Sequence, residues 1–387
     1  MKKLLPTFSV LAVLCVLSPG APLAAQAKPG PPSPEMQKLI ESATKKYQEG
    51  DPKGAIALLE PLRARANAHP AALSLLGFLY LETGRPKDSL GLLGPIADTE
   101  AAGPLILSSA ARAALAVGEN PRAEKYLRRA VAKAPGSPAA RDLGLLLGNE
   151  GQVAESYELL RPWALAHAGD GDARLAATFD AIELGRGAEA EELLNGLPGD
   201  NPRVQLLTAR TRLLKGDPPG ALALLEPLAA SGPPELLPEV RRNLARTYLG
   251  SGESAKAVAL LQGKVGDDAT LAVLLGRAQY KAGNPAEAVT VLAPFAKTAL
   301  AAQDPATPGD RAAAAELTLE YGQALVATSK WAEAIQALDR STRLNPDSFQ
   351  AWQLLGRAQL AAGQREAAGK SMAKVRELEA AKKKAGG

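Results

Sequence analysis

Small residues, glycine turns and long hydrophobic residues follow one spacing that recurs along the chain. Each copy begins at a small residue, here called the anchor. A turn residue lies seven positions after the anchor, a second small residue twelve after it and a long hydrophobic residue sixteen after it. In the last copy these positions are Gly356, Gly363, Ala368 and Met372. Residues four apart lie on one side of a helix, so each copy predicts a helix, a tight turn and a second helix.

The pattern occurs ten times. The anchors are Ala43, Gly77, Ala111, Gly144, Thr178, Ala209, Ala245, Gly276, Gly322 and Gly356. The turn position holds glycine in nine copies and Ser329 in the remaining one. Glycine fits a helix end because the residue after the cap takes a positive φ. The long positions are Leu59, Leu93, Leu127, Leu160, Leu194, Leu225, Leu261, Leu292, Leu338 and Met372. Small residues let the two helices approach closely, and the long residues fill the seam between them.

A single helical hairpin cannot bury its hydrophobic side alone, so neighbouring hairpins must stack. The anchors are 31 to 46 residues apart, most often 34. This period and pattern resemble the tetratricopeptide repeat (TPR) family over roughly residues 36 to 380. The resemblance implies an all-α fold, a right-handed α-solenoid of about ten stacked repeats. The residue four before the anchor, usually large in that family, is Trp352 in the last copy but Arg174, Gln205 and Arg241 in others.

The sequence predicts a linear order of segments. They are a signal peptide at 1–27, a proline-rich linker at 28–35, repeats 1–8 at 36–302, a loop insertion at 303–314, repeats 9–10 at 315–380 and a basic, glycine-ended tail at 381–387. The insertion follows from the 46-residue spacing between Gly276 and Gly322. Two interpretations of it stay open. One is a surface loop, whose lengthening costs little free energy, and the other is a hinge or docking loop.

The N-terminal segment has the organisation of a secretory signal peptide. Two lysines precede an apolar run from Leu4 to Leu17, and the small-x-small sequence at 25–27 predicts cleavage before Lys28. A retained anchor helix is the alternative, which Pro6, Pro19 and the shortness of the apolar run disfavour. Lipidation of Cys15 is disfavoured by the large Leu14 that precedes it. We therefore expect an exported protein, periplasmic in a bacterial cell.

Cleavage would change both the charge and the redox chemistry of the chain. The mature protein would carry 43 basic and 41 acidic residues and no cysteine. A nearly neutral surface argues against nucleic acid as a partner, because a basic stripe supplies most of the affinity of such binding. Without cysteine no disulfide can form. No run of eighteen apolar residues follows the signal segment, so we predict no membrane span in the mature chain.

The sequence offers no catalytic or metal-binding set. His69 and His167 lie near the end of a second helix or in the turn after it, with no nucleophile motif beside them. Zinc, calcium and phosphate-loop motifs are absent. Adjacent acids such as Glu191 and Glu192 fit a solvated helix face better than a hydrolytic pair. We predict no enzyme activity, no metal and no cofactor. An enzyme of unrecognised type is the alternative, and it would need a pocket of polar residues from several helices.

The family resemblance implies a concave groove, lined by the first helix of each repeat, that receives extended peptides or a partner's helix. The residue after each anchor is expected to face it. These residues are Thr44, Phe78, Arg112, Leu145, Phe179, Arg210, Arg246, Arg277, Gln323 and Arg357. Arg210, Arg246 and Arg277 come from consecutive copies. Together with Arg242, one turn before Arg246, they form the hypothesis of an arginine ladder suited to carboxylates.

Two further observations bear on the ladder. Phe78 and Phe179 make the first half of the predicted groove more apolar, suited to hydrophobic anchors of a partner. The alternative is that the arginines are ordinary solvated residues, partly neutralised by Glu239 and Glu320.

These features predict an exported scaffold or adaptor that binds other proteins and helps assemble or stabilise a complex of the bacterial cell envelope. The resemblance suggests secretion, pilus or motility machinery, or polysaccharide export. The partners would be envelope proteins, bound through an acidic or extended segment. The alternative is a periplasmic module that binds an anionic polymer or glycan through the arginines, which the scarcity of groove aromatics disfavours.

Overall fold

The computed structural model describes residues 31–64 and 69–385. The helices within them are α1 (Pro34–Gln48), α2 (Pro52–Leu59), α3 (Pro70–Glu82), α4 (Pro86–Ala97), α5 (Pro104–Val117), α6 (Asn120–Lys133), α7 (Pro138–Asn149), α8 (Val153–Ala166), α9 (Gly171–Glu183), α10 (Gly187–Leu194), α11 (Pro202–Leu214), α12 (Pro218–Ser231), α13 (Leu237–Gly250), α14 (Ser254–Leu261), α15 (Ala269–Lys281), α16 (Pro285–Ala301), α17 (Pro308–Ala327), α18 (Trp331–Leu344), α19 (Phe349–Ala361) and α20 (Arg365–Ala385). A 3₁₀ segment, Glu60–Ala64, continues α2. The predicted all-α class is confirmed.

The helices are arranged as consecutive hairpins. Each odd-numbered helix, or first helix, packs against the even-numbered second helix that follows it. The chain divides into two compact units, one up to Leu197 with α1–α10 and one from Pro198 with α11–α20. Within each unit, every first helix also contacts the next first helix. Both units are therefore stacks of helical hairpins, as the repeat predicts.

The predicted turns lie at the ends of the first helices. All nine predicted glycines have a positive φ, between 71° and 88°, and Ser329 follows them with a φ of 56°. The second helix then begins with a helix-start signal. In two hairpins this signal is an aspartate that accepts a hydrogen bond from the backbone N–H three residues later. Asp51 accepts from Gly54 at 2.8 Å, and Asp217 accepts from Gly220 at 2.9 Å. A proline follows each aspartate in the first turn, where its missing N–H has no cost.

The seam within each hairpin is as close as the small residues predict. A Cβ atom added to Gly77 would lie 2.5 Å from Cδ1 of Leu93, and one added to Gly276 would lie 2.6 Å from Cδ1 of Leu292. Both leucines are completely buried. At these anchors the helix pair has no room for a side chain, so glycine is what permits the contact.

The fifth hairpin corrects one predicted core position. Leu193 is completely buried there, whereas the predicted Leu194 is half-buried. The second helix of this hairpin, α10, has eight residues and ends at Leu194. Its buried residues are Ala190 and Leu193, three apart instead of four. Spacings of three and four both keep residues on one helix face, so the short helix closes the seam one position early.

The extra residues between Gly276 and Gly322 lengthen two helices more than they lengthen a loop. Helix α16 has 17 residues and α17 has 20, and residues 302–307 join them. The predicted loop at 303–314 is therefore wrong in its second half, since α17 begins at Pro308. The side chain of Thr307 caps this helix, and the alanines that follow favour its continuation.

Three arginines donate hydrogen bonds to backbone carbonyls at the C-terminal ends of second helices or just after them. Arg174, 8% exposed, donates a hydrogen bond of 3.1 Å to the carbonyl of Leu193 at the end of α10. Arg340, 5% exposed, donates one of 3.0 Å to the carbonyl of Ala302 after α16. Arg129 donates to the last carbonyl of α4 in the same way. The last four carbonyls of a helix lack helical partners, and these guanidinium groups supply them. Arg174 therefore has a structural role where the family resemblance implies a large residue.

The predicted signal peptide, Cys15 and the cleavage point before Lys28 lie outside the described residues. Helix α1 begins at Pro34, within the predicted linker at 28–35. The lysine-rich end of the chain belongs to α20 as far as Ala385. None of the described helices is both long and apolar enough to cross a lipid bilayer.

Candidate functional site

The predicted binding residues all lie on first helices. They are Phe78 on α3, Phe179 on α9, Arg210 on α11, Arg242 and Arg246 on α13, and Arg277 on α15. Phe179 and Arg246 are exposed, and the others are half-buried. We call the residues three before and one after each anchor the first-helix face.

The two predicted phenylalanines of the first unit lie on separate first helices. Phe78 packs edge-on against Tyr47, with ring centroids 5.4 Å apart, and the Tyr47 hydroxyl donates a hydrogen bond to Glu82 at 3.1 Å. Phe179 is 40% exposed. Helices α5 and α7 lie between α3 and α9 in the order of stacking. The fold therefore keeps the two phenylalanines apart, with Arg112 on α5 between them.

In the second unit, two arginines of the ladder are bound to acids of the following repeat. Arg210 on α11 lies 3.2 Å from Glu239 on α13. Arg277 on α15 lies 2.7 Å from both Glu316 and Glu320 on α17. The predicted neutralisation by Glu239 and Glu320 is confirmed. These arginines join successive repeats, so their guanidinium groups have fewer N–H donors left for a ligand.

The two ladder arginines of α13 differ from each other. Arg242 lies 3.3 Å from Asp268, which also caps α15 by accepting hydrogen bonds from the backbone of Thr270 and Leu271. Arg246, one turn further along the same helix, is exposed and has no ion pair with a described residue. Three arginines of the ladder are therefore in ion pairs, whereas the guanidinium of Arg246 is exposed without an ion pair to a described residue.

The first unit repeats these pairings at equivalent positions. Arg112 lies 2.9 Å from Asp142 of the next repeat, which is the position that Glu320 holds beside Arg277. Arg141, three before its anchor like Arg242, binds Asp170 at the start of the next first helix. The sequence reasoning missed Asp142, Asp170, Asp268 and Glu316. They could have been found from the repeat register. Asp142 lies two positions before the next anchor, Glu316 six positions before it, and Asp170 and Asp268 eight positions before it.

Neighbouring carboxylates raise the pKa of two of the paired arginines, Arg277 and Arg141. Burial acts against the charged form of Arg277, but Glu320 and Glu316 outweigh it and raise the pKa of the guanidinium. Burial acts in the same sense on Arg141, and the Asp170 and Asp142 carboxylates again raise the pKa. Breaking such a pair would leave a partly buried charge without a partner, which costs more than the pair contributes.

The two histidines have structural surroundings. Nδ1 of His69 accepts a hydrogen bond from the backbone of Ala71 and caps α3. The His167 ring stacks on Trp163, with centroids 3.7 Å apart, and Nε1 of Trp163 donates to Asp170 at 2.9 Å. Among the residues that the structure describes, no group of three histidine, cysteine or acidic side chains is placed to hold a metal ion.

Family comparisons identify the same repeat. Three family models, each described as tetratricopeptide repeat, match residues 46–107, residues 315–358, and residues 202–227, 238–262 and 269–294. The matched segments lie in both units. No curated protein sequence matches the chain.

Solved structures resemble the chain more distantly. The MamA protein is 22% identical, with a TM-score of 0.38, and the match covers 48% of this chain and 96% of MamA. A human IFIT1 dimer with PPP-AAAA is 15% identical, with a TM-score of 0.45, over 90% of this chain and 95% of that one. The Naa15/Naa10 complex bound to HypK is 14% identical, with a TM-score of 0.38, over 89% and 64%.

Proposed function

Because the chain belongs to the tetratricopeptide-repeat family, we propose that it is an exported scaffold that binds envelope proteins through its first-helix face. Its repeats support a role in protein–protein interaction. We further propose that it has no catalytic activity of its own and that it helps assemble or stabilise a complex of the bacterial cell envelope.

The main support for the proposal is the contrast between the buried seam of each hairpin and the exposed side chains on its first helix. Most seam residues are buried between the two helices of a hairpin, whereas Phe179 and Arg246 are exposed on first helices. A large exposed aromatic residue and an open guanidinium are residues that partner proteins commonly bind. The export part of the proposal rests on the N-terminal sequence, with its two lysines, apolar run and small-x-small site.

The scaffold proposal is tested by cross-linked capture of the mature protein from its own cell envelope, followed by mass spectrometry. We expect a defined set of envelope proteins, of which some are lost from Arg246→Glu or from Phe179→Ser. Arg376→Glu is the matched control, since Arg376 is exposed on the second helix α20. These single variants leave the inter-repeat ion pairs intact. Recovery of an anionic polymer without proteins would replace the proposal by the glycan-binding alternative.

Export has a separate test. The N-terminal sequence of the protein purified from the envelope fraction is expected to begin at Lys28. Retention of Met1 would contradict cleavage without bearing on the binding surface.

A further inference from the structure

Arginines that follow an anchor obey a pairing rule along the first helices. Each paired one binds an acid two or six positions before the next anchor. The pairs are Arg112 with Asp142 at 2.9 Å, Arg210 with Glu239 at 3.2 Å, and Arg277 with Glu320 and Glu316, both at 2.7 Å. The rule holds in both units, so it belongs to the repeat and not to one local accident of packing.

Arg246 occupies the same position, but the rule is broken there. The residues six and two before the next anchor, Gly276, are Thr270 and Leu274. Thr270 is exposed and carries no charge, and Leu274 is 2% exposed in the core. Neither residue supplies a carboxylate that could form an ion pair with the guanidinium. Arg246 is correspondingly exposed, with no ion pair to a described residue.

The surroundings of Arg246 favour a negatively charged ligand that also has apolar side chains. Arg242 lies one turn away on the same helix, where it is 35% exposed at its side chain and paired with Asp268, so of these two arginines Arg246 is the one left for a ligand. The neighbouring first helix α11 ends in Leu214, which is 46% exposed. A polyanion would use the charge alone, whereas an acidic peptide segment would use both the guanidinium and the exposed leucine.

We propose that Arg246 is the position at which the scaffold binds a carboxylate of a partner protein, supplied by an extended segment in which acidic and apolar residues alternate. This inference rests on the scaffold function proposed above and names the partner's chemistry. The external carboxylate takes the place that Glu239 and Glu316 take for the arginines of neighbouring repeats. The planar guanidinium donates two parallel N–H bonds to it, which gives the contact a defined orientation.

The test uses a fluorescein-labelled short peptide of alternating leucine and glutamate, titrated with the mature protein by fluorescence anisotropy. We expect binding that Arg246→Ala weakens by about tenfold or more, the effect of losing a charge-assisted hydrogen bond. Arg376→Ala removes the same charge from α20 and is expected to leave the affinity unchanged. A peptide of alternating leucine and glutamine is expected to bind as weakly as the glutamate peptide binds Arg246→Ala.

A second variant tests the pairing rule itself. Thr270→Glu places a carboxylate at the position that Glu239 and Glu316 occupy in other repeats, so Arg246 would be satisfied internally. Glutamate in the first turn of α15 also suits the helix dipole, and the variant is expected to stay folded. We expect it to lose peptide binding as fully as Arg246→Ala while its helical circular dichroism is unchanged.

Two results would overturn the inference. One is equal affinity of the glutamate peptide for the wild type, Arg246→Ala and Thr270→Glu, including no measurable binding to any of them. The other is an equal loss of affinity in Arg376→Ala, which would show attraction to net charge alone. In either case, envelope proteins captured by the wild type and lost from Phe179→Ser would leave the scaffold function standing. The two proposals therefore fail separately.

Discussion

Ser329 is the one non-glycine residue in the described part of the chain with a positive φ, 56°. It stands at the turn between α17 and α18, where the other nine repeats have glycine. An L-residue in this conformation brings its Cβ close to the backbone, at a cost of about 1 kcal/mol. The repeat tolerates the serine because the helices on both sides hold the turn in place.

Replacing Ser329 by glycine is therefore expected to stabilise the second unit by about 0.5–1 kcal/mol. Urea unfolding followed by tryptophan fluorescence suits the measurement, since Trp331 begins the next helix. Ser329→Ala keeps the Cβ atom and should bring no gain. An unchanged or lower midpoint for Ser329→Gly would mean that the turn is not strained.

Asp180 is a second residue whose surroundings set its energetics. It is 2% exposed on α9, where its carboxyl group is hydrogen-bonded to the Ser156 hydroxyl. The same hydroxyl lies 2.8 Å from the carbonyl of Gly144, and it has one proton for two acceptors. Burial raises the pKa of Asp180, against the opposing hydrogen bond from Ser156 and with a smaller contribution from Glu183. A neutral Asp180 can donate to Ser156, which leaves the hydroxyl proton for Gly144.

A raised pKa means that Asp180 stabilises the fold most below its ordinary value of 3.8 and loses that contribution as the pH rises through the folded-state pKa. We therefore expect Asp180→Asn to be more stable than the wild type at neutral pH and to lose this advantage in acid. Urea midpoints across the pH range measure the difference. Asp172→Asn, at an exposed acid of the same helix, is the control. The idea fails if the advantage of Asp180→Asn is the same at every pH.

At the scale of the helix, the anchor glycine decides how closely the two helices of a hairpin approach. Gly77→Ala would place a Cβ 2.5 Å from Leu93 and 3.2 Å from the Ser89 hydroxyl. We expect it to destabilise the first unit by about 1–3 kcal/mol, as overpacking does. Gly91→Ala in the partner helix α4 meets nothing within 4 Å and should stabilise instead, by about 0.5–1 kcal/mol. The urea midpoint should fall for Gly77→Ala and rise for Gly91→Ala, which would separate the packing effect from helix propensity. Equal shifts of the two midpoints would contradict the close helix contact at Gly77.

The elements were predictable from sequence wherever the determinant is local. Glycine and the small and long positions act within one hairpin, so the spacing predicted the turns, including Ser329, and most of the seam. It did not predict that Leu193 replaces Leu194, because that depends on where the short helix α10 ends. It also did not predict the start of α17 at Pro308, since a longer spacing is compatible with either a loop or longer helices.

The candidate site was less predictable, because its contacts join residues about one repeat apart. Glu239 and Glu320 were recognised as possible neutralising acids, but Asp268 and Glu316 were not. The distinction between Arg246 and the other ladder arginines appears only when each is compared with the following first helix. The sequence contains this information, but the register of neighbouring repeats is needed to extract it.

At the scale of the molecule, stacked repeats interact with their neighbours and not with distant ones. Deleting residues 104–137, which comprise α5 and α6, joins Gly103 to Pro138 and keeps a proline at the start of the next first helix. We expect a folded, shorter array with a lower urea midpoint, because Asp142 loses Arg112 and α4 loses Arg129. Circular dichroism should show an unchanged signal per residue. Loss of the helical signal would contradict a modular stack.

The pairing of each repeat with the next also bears on how such a gene can change over time. Repeat arrays gain and lose copies when a segment is duplicated or dropped during replication. A new copy inserted between α16 and α17 would separate Arg277 from Glu320, which is 8% exposed and would lose its partner. It would be retained without harm where it brought its own arginine after the anchor and its own acid before it. These matched pairs therefore restrict which additional copies a stable array can accept at that junction.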